Sequence, residues 1–145
     1  MPTYQVMLPS TVHERWGEIR PLLARAVEHG RGELEVDDLL VLVDRGTMAI
    51  LALEEDGELL AATAFEAIHY PRRVVLNFAY TGGRNGMGIV QNIDALYDVA
   101  RRLGADTVSC LCRPAVARHI KRLLPQVEQA YVVVELRVPS EETVQ

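Results

Sequence analysis

Hydrophobic residues recur at spacings of three and four near the start of the chain, which predicts an amphipathic helix. The residues of its apolar face are Val12, Trp16, Ile19, Leu22, Leu23, Ala26 and Val27. Thr11 and Glu14 form the S/T-x-x-E pattern of a capping box, and Pro21 predicts either a kink or a division into two short helices. A second short helix is predicted from Val36 to Arg45, and Gly46 ends it.

After the second helix the pattern changes to the continuous apolar runs that are typical of buried strands. Two such runs, Met48–Leu53 and Leu59–Phe65, flank the pair Asp56-Gly57, which predicts an antiparallel hairpin. A turn at Tyr70–Arg73 then leads into a third strand, Val74–Tyr80. The middle of the chain is therefore predicted to be an antiparallel sheet.

Helices and strands alternate in the rest of the chain. A glycine-rich turn from Thr81 to Gly88 precedes a helix that ends at Gly104, and the apolar face of this helix contains Ile89, Val90, Ile93, Leu96, Tyr97, Ala100 and Leu103. Asp106–Cys112 predicts a strand, Pro114–Leu124 a helix and Tyr131–Val138 a last strand. The predicted order is ααβββαβαβ, a single α+β domain whose mixed, mostly antiparallel sheet is flanked by helices and ends in a right-handed crossover.

Composition favours one globular domain and excludes several other classes. The chain has 145 residues, of which 49% are hydrophobic and 24% charged, so it is neither disordered nor fibrous. No apolar run approaches the roughly 18 residues that span a bilayer, and a membrane partner is not expected. The net charge of -5 argues against non-specific binding to nucleic acid. We assign residues 1–139 to the domain and 140–145 to a disordered tail.

Cys110 and Cys112 are the only two cysteines. On an extended strand a C-x-C pair points to one face without the geometry of a comfortable disulfide. We interpret both as small apolar side chains of a buried strand. A two-ligand metal site and a redox pair are the alternatives.

The glycine-rich turn is the clearest candidate for a ligand site. It holds four glycines within seven residues, namely Gly82, Gly83, Gly86 and Gly88. Glycine allows positive φ and a close approach of the backbone to a ligand. The following helix N-terminus offers free N–H groups and a partial positive charge, which suit a phosphate or pyrophosphate. A glycine-rich turn without a ligand is the structural alternative.

The order of these elements resembles that of the GNAT-fold N-acetyltransferases, and the resemblance covers nearly the whole chain. A narrower resemblance is to the GNAT-like proteins of tailed bacteriophages. It rests on Trp16-x-x-Ile19, Pro21-Leu22-Leu23, Arg45-Gly46, Tyr70-Pro71-Arg72-Arg73, the strand that runs into Gly82-Gly83, and Tyr131–Leu136. These features are diffuse, and they identify the fold better than the activity.

The resemblance implies acetyl-CoA as a co-substrate. In these enzymes the turn after the central strand has a Gln/Arg-x-x-Gly-x-Gly/Ala pattern whose amides bind the pyrophosphate. The matching frame here begins with Gly83, has Arg84 one residue late, and retains Gly86 and Gly88. These four residues would hold the pyrophosphate. Backbone groups of the preceding strand would line the pantetheine arm, at Asn77, Phe78 and Ala79.

The resemblance also implies that an amine attacks the thioester directly, which requires a base, a group that polarises the carbonyl and an acid. A backbone N–H between Phe78 and Tyr80 would polarise the carbonyl. Glu66 and His69 are the candidate bases, and because they lie on opposite faces of the same strand at most one of them can point into the cleft. The alternative roles are a solvated carboxylate for Glu66 and a turn residue for His69. Asn77 either binds a ligand or makes a structural hydrogen bond.

The candidate acid is where the sequence departs from the family. Many of these enzymes use a Tyr on the helix predicted at Pro114–Leu124, which contains none. His119 on that helix and Tyr80 on the central strand are the candidates in its place, and Tyr131 is a further alternative. The basic residues around this helix are interpreted as a solvated face, with a site for the 3′-phosphate of CoA or a phosphorylated partner as alternatives: Arg113, Arg118, Lys121 and Arg122.

The sequence thus predicts an acyl-CoA-dependent N-acetyltransferase whose substrate is an amine of a small molecule or a protein. The competing hypothesis is a non-catalytic GNAT-like phage protein that acts as a virion-associated or interaction module with a phage or host protein partner. The apolar strand Tyr131–Val138 could also serve as an exposed edge for a homodimer. The expected location is the cytoplasm, or the host cytoplasm or virion for a phage-encoded protein.

Overall fold

The structure, a computed structural model, describes residues 2–83 and 92–141. Its strands are β1 Thr3–Met7, β2 Ala49–Glu55, β3 Glu58–Tyr70, β4 Arg73–Gly83 and β5 Thr107–Cys110. Its helices are α1 Pro9–Glu14, α2 Trp16–Glu28, α3 Asp38–Asp44, α4 Ile93–Arg102 and α5 Pro114–Leu123. None of the helices in these two ranges is long and apolar enough to cross a membrane.

The five strands form one sheet in the order of the sequence, from β1 to β5. Neighbouring strands are antiparallel from β1 to β4, and β5 is parallel to β4 after the crossover through α4. The predicted α+β class with a mixed, mostly antiparallel sheet is therefore confirmed. The predicted hairpin also forms, and Asp56 and Gly57 take the positive φ values, 53° and 79°, that a tight hairpin turn requires.

Helices cover both faces of the sheet. We call the side covered by α1, α2 and α3 the α2 face; its core contains Met7, Val12, Ile19, Leu23, Val27, Val36, Leu39, Val43, Met48, Ile50, Ala52, Leu59, Ala62 and Ala64. The opposite side is the α4 face, with Leu51, Leu53, Ala61, Phe65, Leu76, Phe78, Leu96, Val99, Ala100 and Ala105. Successive residues of β2 enter opposite cores, which explains the continuous apolar run in this strand.

At the N-terminus the structure adds a strand that was not predicted. β1 pairs antiparallel with β2, and Met7 at its end is buried in the core of the α2 face. The other β1 residues are exposed or half-buried, as expected for an edge strand. Because so little of this strand is buried, its sequence does not show the apolar pattern by which the other strands were predicted.

The first predicted helix is divided into two, but the division is not at Pro21. α1 begins at Pro9, ahead of the predicted capping box, and no side chain caps the start of α1 or α2. The helix is interrupted at Arg15, whose guanidinium donates to Glu54 at 3.1 Å and to the carbonyl of Gly57 at 3.0 Å. These hydrogen bonds attach the junction between α1 and α2 to the β2–β3 hairpin. Pro21 lies inside α2, where proline removes one backbone donor and the helix continues.

At the C-terminus the predicted last strand, Tyr131–Val138, is wrong. Within the described residues this segment pairs with no strand, and its apolar side chains are largely exposed. β5 is therefore the last strand of the described sheet. The interpretation of Cys110 and Cys112 as side chains of a buried strand is also wrong, because both are exposed. The apolar pattern alone predicts a strand, but a strand also needs an edge to pair with.

Gly82 marks a close approach between α2 and the sheet, and it provides a test of this packing. A Cβ at Gly82 would overlap the carbonyl oxygen of Leu22 in α2. We expect Gly82→Ala to lower the free energy of unfolding by about 2–3 kcal/mol, because backbone atoms must move apart. Urea denaturation measures the change.

Gly17→Ala is the matched control, because it makes the same substitution in α2 itself, where a Cβ would meet nothing within 4 Å. There the replacement of glycine in a helix should raise stability by up to about 1 kcal/mol. Equal losses of stability in the two variants would contradict the proposed close packing.

Candidate functional site

β4 has one more residue than the stretch of β3 opposite it. Ala64 pairs with Tyr80 whereas Phe65 pairs with Phe78, so Ala79 has no partner on β3. This β-bulge changes the alternation of side chains along the strand. Phe78 lies on the α4 face, where its ring centroid is 6.0 Å from that of Phe65. Tyr80, two residues later, packs against the core of the α2 face.

At the same level the parallel strands β4 and β5 stop pairing. Their last pair is Phe78 with Cys110, although β4 continues to Gly83. Beyond Phe78, the backbone N–H and C=O groups on that edge of β4 have no partner on β5. Because backbone groups require partners, this edge of β4 can pair with an extended ligand that carries amides.

Three polar side chains form a row across the α2 face beside the bulge. Glu66, Asn77 and Ser109 lie at paired positions on β3, β4 and β5. The Asn77 amide donates to Oε1 of Glu66 at 3.3 Å, and the Ser109 hydroxyl donates to Oδ1 of Asn77 at 3.3 Å. Glu66 and Asn77 are half-buried, so the Glu66 carboxylate is both oriented and open to a substrate. Asn77 thus makes structural hydrogen bonds, one of the two roles considered for it from the sequence.

Tyr80 lies on the other side of the bulge, on the same face. Burial, and to a smaller extent the Glu33 carboxylate, raise the pKa of the Tyr80 phenol. Glu33 follows α2 and accepts a hydrogen bond from the backbone N–H of Arg31 at 2.7 Å. The phenol therefore stays protonated at neutral pH, and in this form it can donate a proton or a hydrogen bond.

His119 is not joined to this site by any contact among the described residues. It is exposed on α5, and no residue of α5 is buried. The start of α5 does reach the end of α2, because Arg113 donates to Nδ1 of His29 at 2.8 Å. The structure thus brings Glu66, Asn77 and Tyr80 around the bulge and leaves His119 outside their hydrogen bonds.

Gly83 has a structural reason to be glycine. Its φ is 140°, and a Cβ there would lie 2.6 Å from the Cα of Ala61 on β3. Packing between the strands is therefore sufficient to exclude a side chain. The other candidates of the turn, Arg84, Gly86 and Gly88, lie outside the described residues.

Sequence reasoning missed two residues of this site. Ser109 completes the polar row, but its neighbours became evident only with the register of β5 on β4. Glu33 acts on Tyr80 from the loop after α2, and no pattern in the sequence connects the two positions. The one available signal for Ser109 was that it is a polar residue on a predicted strand.

The sequence matches no protein-family profile and no curated protein. Solved structures do match. One is an aminoglycoside acetyltransferase from an uncultured soil metagenomic sample, in complex with sisomicin, with a TM-score of 0.68 at 9% sequence identity. The match covers 95% of this chain and 97% of the chain of that structure. The aminoglycoside N-acetyltransferase AAC(6')-Iy, in complex with CoA, has a TM-score of 0.67 at 15% sequence identity, and the match covers 97% of this chain and 96% of that one. A ribosomal-protein-alanine N-acetyltransferase from Brucella melitensis biovar Abortus has a TM-score of 0.65 at 17% sequence identity, and the match covers 97% of this chain and 100% of that one.

These neighbours are GNAT-fold acetyltransferases, and the chain shares their fold over nearly its whole length. At identities of 9–17% the similarity shows the fold alone. None of the three is described as a phage protein, so the resemblance to phage proteins stays a prediction.

The hydrogen bonds of the polar row can be tested by a double-mutant cycle on Asn77 and Ser109. We expect Asn77→Ala to lower the free energy of unfolding by about 1 kcal/mol, because it removes both bonds. Once Asn77 is absent, Ser109→Ala should cost less than it does in the native chain. Urea denaturation of the two single variants and the double variant gives the coupling, and strictly additive effects would contradict the row.

Proposed function

We propose that this chain transfers an acetyl group from acetyl-CoA to an amine. The observation that carries the proposal is the bulge at Ala79, which directly follows the last residue pair between β4 and β5. The GNAT fold supports it, since one structural neighbour was solved with CoA. Beyond the bulge the outer edge of β4 has no partner on β5, and a carboxylate and a phenol lie on the adjacent α2 face.

The residues present fit acetyl-CoA, which would supply the acyl thioester. The edge of β4 from Ala79 to Gly83, which has no partner on β5, offers backbone N–H and C=O groups that match the amides of a pantetheine arm. Phe78 contributes only backbone groups, because its side chain is buried on the α4 face. In the proposal, the amides of Arg84, Gly86 and Gly88 hold the pyrophosphate, on the strength of the sequence pattern.

The side chains around the bulge have distinct roles in this proposal. Glu66 accepts the proton of the attacking amine, and Asn77 orients its carboxylate through the 3.3 Å hydrogen bond. The backbone N–H of the bulge stabilises the negative charge that develops on the carbonyl oxygen. As the C–N bond forms and the C–S bond breaks, the Tyr80 phenol donates its proton to the leaving thiolate. Tyr80 takes this role in place of His119, which makes no contact with the row.

Neighbouring structures indicate the kind of amine to test first. One neighbour was solved in complex with the aminoglycoside sisomicin, and another is a ribosomal-protein-alanine N-acetyltransferase. Amines of small molecules and of protein N-termini are therefore both candidates for this chain. We propose the cytoplasm, where acetyl-CoA is made, as the place of reaction.

A second candidate function is that of a non-catalytic interaction module with a phage or host protein partner. Two observations favour it: the turn begins with Gly83 where the enzymes have Gln or Arg, and the exposed segment Tyr131–Val138 presents apolar side chains that could be covered by a partner. This candidate requires no binding of acetyl-CoA, so ligand binding separates the two.

Calorimetry with acetyl-CoA tests the proposed function. The native chain should bind with measurable heat, and saturation at about 100 times the dissociation constant should stabilise the fold by about 2.7 kcal/mol. Gly86→Asp should abolish binding, because it places a carboxylate at the pyrophosphate site. Gly17→Asp, which meets nothing within 4 Å in α2, is the matched control and should bind normally.

Two outcomes would count against the enzyme. The absence of both heat and thermal stabilisation at millimolar acetyl-CoA would overturn it and favour the interaction module. Normal binding by Gly86→Asp would show that the pyrophosphate had been assigned to the wrong residues.

A further inference from the structure

Cys110 and Cys112 are nucleophilic side chains that the proposed acetyl transfer does not use. Both are exposed, and both are free thiols. Cys110 is the last residue of β5, whereas Leu111 and Cys112 belong to no helix or strand. Leu111, which separates the two cysteines, is itself 68% exposed. A small reagent in solution can therefore reach this part of the chain.

The two thiols contact each other through a side-chain hydrogen bond. Partial removal of the Cys110 thiol from water, and then the neighbouring Cys112, raise the pKa of Cys110 to about 12. Cys110 therefore keeps its proton at neutral pH and donates the hydrogen bond, and the sulfur of Cys112 accepts it. Because the thiolate is the nucleophilic form, Cys112 is the residue of this pair that reacts first.

The end of β5 at Cys110 also allows the two sulfurs to be joined. A disulfide requires Cα atoms that are about 4.4–6.8 Å apart. Two residues of fully extended chain span about 6.6–7.2 Å, so a slight bend at Leu111 is sufficient. Within a paired strand the sheet would oppose this bend, but the last residue pair between β4 and β5 is Phe78 with Cys110. Leu111 can therefore bend without the loss of a residue pair.

We propose that Cys110 and Cys112 form a redox-active dithiol, which a hydroperoxide converts reversibly to an intramolecular disulfide. Cys112 lies next to Arg113 at the start of α5, and both a cation and a helix N-terminus favour a thiolate. Closure of a ring across one residue gives a strained and exposed disulfide, and disulfides of this kind are readily reduced by other thiols. The site is thus suited to reversible oxidation.

Hydrogen peroxide supplies the oxidising equivalents in two steps. The Cys112 thiolate attacks one peroxide oxygen, the O–O bond breaks, and the hydroxide that leaves takes up a proton, which gives a Cys112 sulfenic acid and water. The Cys110 sulfur then attacks the Cys112 sulfur, the S–O bond breaks, and the proton of Cys110 leaves with the hydroxide as a second water. Two thiols thus lose two electrons in total, and one peroxide becomes two waters.

The first step makes the second easier. Cys112 contributes to the raised pKa of Cys110 through both its charge and its hydrogen bond. Oxidation of Cys112 removes the thiolate charge, so Cys110 then loses its proton more readily. The more exposed thiolate therefore attacks the peroxide, and the thiol that holds its proton completes the disulfide.

Treatment of the reduced, full-length chain with excess hydrogen peroxide tests the site. The intact mass should fall by about 2 Da as two hydrogens are lost, and reduced glutathione should restore both thiols. Cys110→Ser and Cys112→Ser are a matched pair, because they make the same change at two exposed cysteines. Cys110→Ser should accumulate a sulfenic acid that dimedone traps. Cys112→Ser should react at least about tenfold more slowly than the native chain, since only the desolvated thiol remains.

Four results would overturn the proposal. They are a native chain that keeps both thiols, disulfides that form only between two molecules, a disulfide that glutathione does not reduce, and equal rates for the two serine variants. Circular dichroism checks that each variant is folded, and alanine replaces serine in any variant that is not. The measurement uses no acetyl-CoA, so its failure leaves the proposed function intact, and loss of acetyl-CoA binding leaves the dithiol intact.

Discussion

One extra residue in β4 determines which side chains the sheet presents beneath α2. With strict alternation, Tyr80 would lie on the α4 face beside Phe78. The bulge at Ala79 returns Tyr80 to the α2 face, the face that also carries Asn77 and Glu66. The pairing with β5 ends at the same level. The bulge thus places the Tyr80 phenol on the same face as the Glu66 carboxylate, at the level where the pairing with β5 ends.

β4 is held in place from both faces of the sheet. On the α2 face, the absence of a side chain at Gly82 allows the backbone of α2 to lie directly against the strand. On the α4 face, the hydroxyls of Thr63 and Thr81 form a hydrogen bond of 2.8 Å, and Thr63 is fully buried. β5, by contrast, is short, and its outer edge pairs with no strand in the described part of the chain. β4 is therefore supported on both faces and at its β3 edge, whereas β5 is supported by pairing at one edge only.

The elements that could be predicted from the sequence are those whose burial is dictated by local pattern. The β2–β3 hairpin followed from two continuous apolar runs and the pair Asp56-Gly57. The bulge has no such signal, because Ala79 is an ordinary strand residue and the extra position exists only relative to β3. The polar row depends on register, which fixes Ser109 beside Asn77. The predicted strand Tyr131–Val138 failed because apolar alternation specifies a face to be buried without specifying what buries it.

The central proposal is that acetyl-CoA binds along the β4 edge beyond Phe78, with its thioester at the bulge. Titration of the ¹⁵N-labelled chain with acetyl-CoA, followed by amide chemical shifts, tests it directly. We expect the largest shifts at Ala79 to Thr81 on β4 and at Cys110 on β5, with little change in β1. Shifts confined to another surface, or none at saturating ligand, would contradict it.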